Sequence, residues 1–571
     1  MRIASAALAC FLLVSCGGDS NAPDLIVHNA KIVTVNEGFD VAQAMAVRGD
    51  RIVAVGSNDD VLALAGSATE QLDLEGKTVL PGLIDTHVHA ASASMYEFEN
   101  EVPEMETIAD VLDYVRSRAE QLEDGQWIVV SQVFITRLRE QRYPTRAELD
   151  EAAPNNPVMF RTGPDASLNS LALQESGIDK DFVVPADAPG KIERDASGEP
   201  TGIIRSSGHF VHPERSGAEP TKQDRLDRLK MMLTAYNEIG LTSVADRDAS
   251  DAEVELYREL HANDALTCRV FLNLHVDTGD PIEEIEARLD EAAADPLHTY
   301  DNMLWLRGVK TYMDGGMLTG SAYMLEPWGV SKIYSIEDPE YRGMRYIEPE
   351  KTYQIAKAAL ERDLQMTAHC QGDAAVTTLV DAYQRVNDED FPVAEKRPNV
   401  THSSFMTQEV IDRMKTLGVT ADLQPAWLER DGSTLKGQFG DERLAYFHPY
   451  KSLFDAGVVI GGGSDHMQKI GEMRSINPYD PFWGMWVAMT RQPRWMDEPL
   501  HSEQSLSREQ AIRFYTINNA YLTFEEDEKG SLENGKLADF IVIDRDILEC
   551  PVDEIKDITV ERTYLGGARV H

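Results

Sequence analysis

The chain has 571 residues and a formal net charge of −43, from 54 basic and 97 acidic side chains. That imbalance leaves no basic patch to offset phosphate repulsion, which excludes nucleic acid and anionic lipid surfaces as binding partners. A heavily solvated acidic surface accounts for the excess, and a funnel for cationic substrates is an alternative that no motif supports. The length exceeds the roughly 250–300 residues at which single cores stop growing, unless the core is a barrel.

At the N-terminus, Arg2 precedes an apolar run from Ile3 to Val14, too short to span a bilayer and of the length of a signal-peptide core. The run ends in Leu13-Val14-Ser15-Cys16-Gly17, which resembles the lipobox of bacterial lipoproteins. The resemblance implies that residues 1–15 are a signal peptide, that Cys16 is lipidated, and that residues 16–24 form a tether to the cell envelope. Gly17 rather than an acid after the cysteine implies the periplasmic face of the outer membrane. An ordinary secretory signal with a chance cysteine is the alternative. Beyond the signal, Cys268, Cys370 and Cys550 are too few and too scattered for a disulfide framework.

Residues 25–80 read as short strands with turns between them: 25–29, 31–35, 44–47, 51–55 and 71–74, with a Gly-Asp hairpin signal at 49–50. The C-terminal segment 521–571 behaves alike, with strands at 538–543 and 560–565 before a Gly566-Gly567 turn. Either end alone has too little core, so the expectation is one small β-sandwich assembled from both termini.

Between them, residues 81–520 alternate strand-like and helix-like stretches, the pattern of a parallel α/β architecture. Strands are expected near 83–87, 241–246, 268–276, 304–312, 365–370, 399–403, 419–424 and 458–463. Helices are expected near 250–263, 281–294, 350–363, 373–386, 407–417 and 441–456. Eight strands with intervening helices predict a (β/α)8 TIM barrel, with chemistry at the C-terminal strand ends. Residues 90–220 do not fit a minimal unit and read as an insertion over or beside the barrel mouth.

The first barrel strand delivers Asp85-Thr86-His87-Val88-His89. Side chains at i and i+2 share a face of a strand, so His87 and His89 converge, a geometry suited to a divalent transition metal. Further candidates end later strands: Lys310 the fourth, His369 the fifth, His402 the sixth and Asp465 the eighth. Taken singly, Lys310 reads as an ion-pair partner, either histidine as a satisfied core residue, and Asp465 as a cap. Asp85 and His466 are candidates to support the ligands from behind. Phe482, Trp483 and Trp486 read as core or lid packing, with an apolar substrate pocket as the alternative.

Taken together, strand-end His-x-His, Lys, His, His and Asp resemble the amidohydrolase superfamily. The phrases Leu80-Pro81-Gly82-Leu83-Ile84-Asp85-Thr86-His87-Val88-His89, His369-Cys370-Gln371-Gly372-Asp373, Gly463-Ser464-Asp465 and Gly535-Lys536-Leu537-Ala538-Asp539-Phe540 are similar to its amidohydrolase-3 branch, which includes N-substituted formamide deformylase-like enzymes. So is Gly198-Glu199-Pro200-Thr201-Gly202 within the insertion. The resemblance implies a distorted barrel with a split β-sandwich. It also implies one or two divalent metal ions, zinc foremost, and N6-carboxylysine at Lys310. In that scheme His87, His89 and Asp465 hold one ion, His369 and His402 the other, and the carbamate bridges them. An ammonium could not, since it has no lone pair.

The chemistry so implied is hydrolysis of a small-molecule amide carbon–nitrogen bond by a metal-activated hydroxide, with Asp465 as general base and acid. A deaminase, cyclic imidase or ester hydrolase would use the same metal core, and a lipid-anchored binding protein without turnover is the rival from another class. A homo-oligomer is compatible with all of these. The chain departs from the branch pattern at Thr401, where many members carry Glu, and at residues 163–170, where many carry Asp-Gly-His. Substitution of Cys16 by Ala is expected to move the protein from the detergent phase to the aqueous phase in a phase-partition assay, and unchanged partitioning would refute the anchor.

Overall fold

The computed structural model describes residues 21–131, 133–163, 165–185, 190–214 and 217–571. The signal segment and Cys16 lie outside them. At the centre are eight parallel strands paired in sequence order: β1 (Leu83–Val88), β2 (Leu241–Ala249), β3 (Arg269–His275), β4 (Leu304–Tyr312), β5 (Gln365–Cys370), β6 (Asn399–His402), β7 (Thr420–Leu423) and β8 (Ile460–Gly462). The seam between β8 and β1 is drawn together by a bridge between Val88 and His466 and by the Asp465 N–H donating to the His87 carbonyl at 2.8 Å. The result is a nearly closed, distorted TIM barrel. Each expected strand is present, with ends shifted by at most three residues.

The surrounding helices are α1 (Lys222–Glu238), α2 (Asp251–Ala262), α3 (Ile282–Ala294), α4 (Pro349–Glu361), α5 (Asp373–Glu389), α6 (Gln408–Leu417), α7 (Pro425–Arg443) and α8 (Tyr450–Ala456). α6 shows why the sequence folds this way. Val410, Ile411, Met414 and Leu417 recur at helical spacing and are buried, Thr407 caps the first turn, and Gly418 ends it at φ 67°. The expected helix at 441–456 is a correction: only 450–456 is helical there as a unit, and a longer helix, α7, precedes it. α7 escaped detection because it is buried along much of its length, so it lacks an amphipathic stripe, and because it contains Gly432, Gly437 and Gly440, the last at φ 74°.

Strand β8 runs into Gly461-Gly462-Gly463, and close approach requires all three. A β-carbon would lie 2.1 Å from Asn519 Oδ1 at Gly461, 2.8 Å from the Phe514 ring at Gly462, and 2.8 Å from His87 Cβ at Gly463. The glycines thus let the last strand sit against the first, bringing Asp465 to the histidine pair.

Two further sheets flank the barrel. One has four strands, in the order Arg51–Gly56, Ala44–Arg48, Leu25–His28, Glu70–Asp73. The other has six and joins both ends of the chain, because Thr78–Pro81 pairs antiparallel with Phe540–Ile543. The residues between β1 and β2 carry a five-stranded sheet of their own, with Pro200–Arg205 next to Asp165–Leu168. Gly202 there sits at φ 102°, where a β-carbon would meet the Leu168 carbonyl at 2.6 Å.

The terminal sheet is locked to the barrel by Arg269 of β3. Its guanidinium makes a two-pronged contact with the Asp539 carboxylate at 2.7 and 2.8 Å, with both side chains buried. Burial pushes the Asp539 pKa up, but the Arg269 charge and hydrogen bonds outweigh it and hold the carboxyl below its usual range. Removing one member of a buried pair strands the other, so Arg269→Met is expected to cost about 3–5 kcal/mol in denaturant unfolding. Because the folded pKa is depressed, the pair's contribution is present above the unfolded value, near 3.9. It is lost as pH falls through the lower folded value, and the wild-type pH profile should show that loss while the variant's does not.

Candidate active site

His87, His89, Lys310, His369, His402 and Asp465 all line one pocket of about 240 Å3 at the C-terminal ends of the barrel strands. Ring centroids of His87 lie 5.2 Å from His89 and 5.0 Å from His402, and His369 lies 4.6 Å from His402. Asp465 Oδ1 is 3.2 Å from His89 Nε2 and 3.5 Å from His87 Nε2. These three offer ligand atoms within 4.8 Å of one another, as a single metal ion requires.

The imidazoles are aimed from behind by a strand from which the sequence reading took no candidate. Asp422 of β7 holds His87 Nδ1 at 3.0 Å. Two residues along, on the same face, Gln424 Oε1 holds His402 Nδ1 at 2.8 Å, while its Nε2 donates to Asp422 at 3.0 Å. With both Nδ1 atoms so occupied, the Nε2 atoms are left for the pocket. Asp422 is itself fixed by Asn399 Nδ2 at 2.6 Å and Thr401 Oγ1 at 3.0 Å. Thr401 therefore serves the carboxylate behind His87. The signal for Asp422 was present: a lone acid inside a short apolar strand that must be fully buried.

Asp85 and His466 act on the backbone around the ligands, with no hydrogen bond to a ligand imidazole among the described residues. Asp85 accepts the backbone N–H groups of His87 at 2.9 Å and Ser464 at 3.1 Å, so it ties β1 to the loop after β8 and orients no imidazole. Burial pushes its carboxyl up to about 7. The His466 ring accepts from the Tyr236 hydroxyl at 2.8 Å and donates to the carbonyls of Gln468 and Lys469, which shapes the loop beyond Asp465. Asp314 does comparable work beside His369, accepting the N–H groups of Tyr323, Gln371 and Gly372 at 2.8–2.9 Å. Of the aromatic trio, Phe482 and Trp483 are core, and the tryptophan in the pocket wall is Trp427, with its ring 4.5 Å from His402.

Electrostatics prepare the site for cations. Burial, followed by the Lys310 charge, lowers the His87 pKa and takes that of His369 down to about 3; burial and neighbouring His369 lower that of His402. These imidazoles are neutral, with lone pairs available. At His89, burial is outweighed by the Asp465 hydrogen bond and charge, and the pKa is raised. Burial lowers the Lys310 pKa, and its ammonium has neither ion pair nor hydrogen bond among the described residues, its near neighbour being the Tyr312 ring at 5.4 Å. The Nε2 atoms of His87 and His369 are buried without a hydrogen-bond partner. Buried polar atoms are rarely left so, and metal ions fit this donor set.

His402 and Asp465 adopt left-handed backbone, at φ 76° and φ 54°. Each such residue costs about 1–3 kcal/mol and persists where surrounding structure imposes it, as at functional sites.

Residues 70–571 match the model of the amidohydrolase family. The N-substituted formamide deformylase of Arthrobacter pascens is 30% identical over 560 residues, covering 95% of this chain and 97% of the relative. Protein LONG AFTER FAR-RED 3 of Arabidopsis thaliana is 26% identical over 574 residues, covering 96% and 91%. An uncharacterized metal-dependent hydrolase from Pyrococcus furiosus, 22% identical, shares the fold with a TM-score of 0.65 over 92% of this chain and 100% of that one.

If Asp422 sets the orientation of His87, Asp422→Asn should weaken metal affinity roughly 10–100-fold with the fold intact. Chelator competition monitored by metal analysis reads this directly, and unchanged affinity would remove Asp422 from the supporting role.

Proposed function

The chain belongs to the amidohydrolase family, and on that premise we propose that it is an exported, metal-dependent hydrolase of a small-molecule amide, working through one or two divalent ions with zinc foremost. The observation that carries the reading is the convergence of six strand-end side chains on one pocket, with the buried Nε2 of His87 making no hydrogen bond among the described residues. His87, His89 and Asp465 would hold one ion, His369 and His402 a second, and Lys310 as its N6-carboxy derivative would add an anionic ligand. Bound there, the ions supply an activated water and polarise the scissile carbonyl.

The chain's own residues supply the rest. Asp465 takes the proton from the attacking water and delivers it to the departing amine, since its Oδ1 faces the histidine pair and burial raises its pKa above the ordinary carboxylate value. Its backbone carbonyl is held by Asn477 Nδ2 at 2.8 Å, which sets the carboxyl's position. Trp427 and Phe134 give the pocket apolar walls that exclude bulk water. The similarity to N-substituted formamide deformylase supports an N-acyl or N-formyl amine as substrate. Deamination or imide opening would use the same residues and differs only in what the pocket admits. Cys16 would anchor the enzyme to the envelope.

On N-formyl and N-acyl amines, Asp465→Asn should lower kcat about 10²–10⁴-fold while the protein retains metal, and His87→Ala should lose metal and activity together. Unchanged turnover in Asp465→Asn with metal bound would end the proton-transfer role. Lys310→Ala should be restored in part by a short-chain carboxylate added to the assay, as a carbamate substitute.

A further inference from the structure

Beside the metal pocket lies a second, smaller space of about 60 Å3. The two share Phe134 in their walls. They are also bridged by α7: Trp427 faces the first and Arg430 the second. Residues three apart lie on one face of a helix, about 5 Å apart along its axis, so the spaces adjoin.

Arg430 is 6% exposed and donates no hydrogen bond among the described residues; its Nε is fully enclosed without a partner. The nearest acid, Glu429, is 3.4 Å from that nitrogen without hydrogen-bond alignment, and Glu429 also faces Arg494 at 3.7 Å. Lys469, 5% exposed, stands in the same wall and donates to the Pro103 carbonyl at 3.2 Å. The other cations of the wall are matched: Arg137 by Asp431, Arg494 by Glu106 and Arg474 by Glu97. Glu104 is the remaining acid in the wall.

The guanidinium also lies 5.8 Å from the Trp483 ring centroid, but a ring offers no in-plane acceptor, and a largely buried guanidinium is costly unless an anion completes its hydrogen bonds. Among the described residues no carboxylate is aligned to hydrogen-bond Arg430. The space admits a carboxylate, whose planar fork matches a guanidinium, and is too small for a larger anionic body with its own apolar part. We propose that it is the subsite for a carboxylate on the substrate, gripped by Arg430 and Lys469 while the scissile amide lies in the metal pocket. The substrate class is then an amide bearing a carboxylate on its amine or acyl portion, packed along the Phe134 ring. This rests on the hydrolase reading above, which it narrows.

The test uses N-formylphenylalanine and its carboxamide, which differ only in the charged group. With metal-replete enzyme, the wild type should favour the carboxylate by at least tenfold in kcat/KM. Arg430→Gln should remove that preference through KM, leave the carboxamide unchanged, and be partly rescued by Arg430→Lys. Isothermal titration in the Asp465→Asn background reads binding without turnover, and there Arg430→Gln and Lys469→Met should each weaken the carboxylate alone, by tenfold or more. Equal affinity of wild type and Arg430→Gln for the carboxylate, or equal losses for both ligands, would overturn the subsite. Discriminating binding with no hydrolysis of either compound by wild type would instead overturn the hydrolase reading and leave the subsite standing.

Discussion

A single buried carboxylate, Asp422, organises the mouth of the barrel. It lies on β7 yet fixes the ring of His87 on β1 directly, and that of His402 on β6 through Gln424. The first strand of the barrel is thereby held in one arrangement with two of its last three. The carboxylate is itself surrounded by Asn399, Thr401 and, at 3.9 Å, Arg247, all buried. A polar network of this kind is stable only when every member is satisfied. Here the member left without a hydrogen bond, His87 Nε2, is turned towards the Asp465 carboxylate in the pocket, 3.5 Å away.

The rest of the architecture serves to keep that arrangement rigid. The glycine run after β8 allows the last strand to press on the first, and Asp85 ties the two together by accepting backbone N–H groups from both sides. From below, Arg269 and Asp539 fasten the terminal sheet to β3. From above, Arg137 of the insertion reaches Asp431 of α7 and the Asn477 side chain, and Asn477 in turn holds Asp465. The insertion is therefore connected through hydrogen bonds to Asp465, and contributes Phe134 to the pocket wall.

Much of this was legible along the chain. Parallel barrel strands are buried on both faces, so they appear as compact apolar runs, and the histidines, lysine and aspartate stand out where those runs end. The helices α2 to α6 on the barrel's outside show one apolar stripe and one polar face and match expectation, whereas α1 was not among the expected helices. Nor was α7, because a helix packed between the barrel, the insertion and the helix Pro481–Thr490 has no single polar face to display. Residues that act through another residue were also missed or misassigned. Asp85 looked like a partner for an imidazole because it shares a strand face with His87, whereas the actual partner comes from a strand 335 positions away.

By itself, then, the sequence determined which side chains could bind a metal and that they sit at strand ends, since residue type and period-2 spacing are local properties. Only the tertiary structure decided which carboxylate stands behind which imidazole, which glycines are crowded, and that Arg430 Nε is enclosed beside the metal pocket with no hydrogen-bond acceptor among the described residues. Those are matters of distance between segments remote in the chain, and burial turns each such distance into a large electrostatic term.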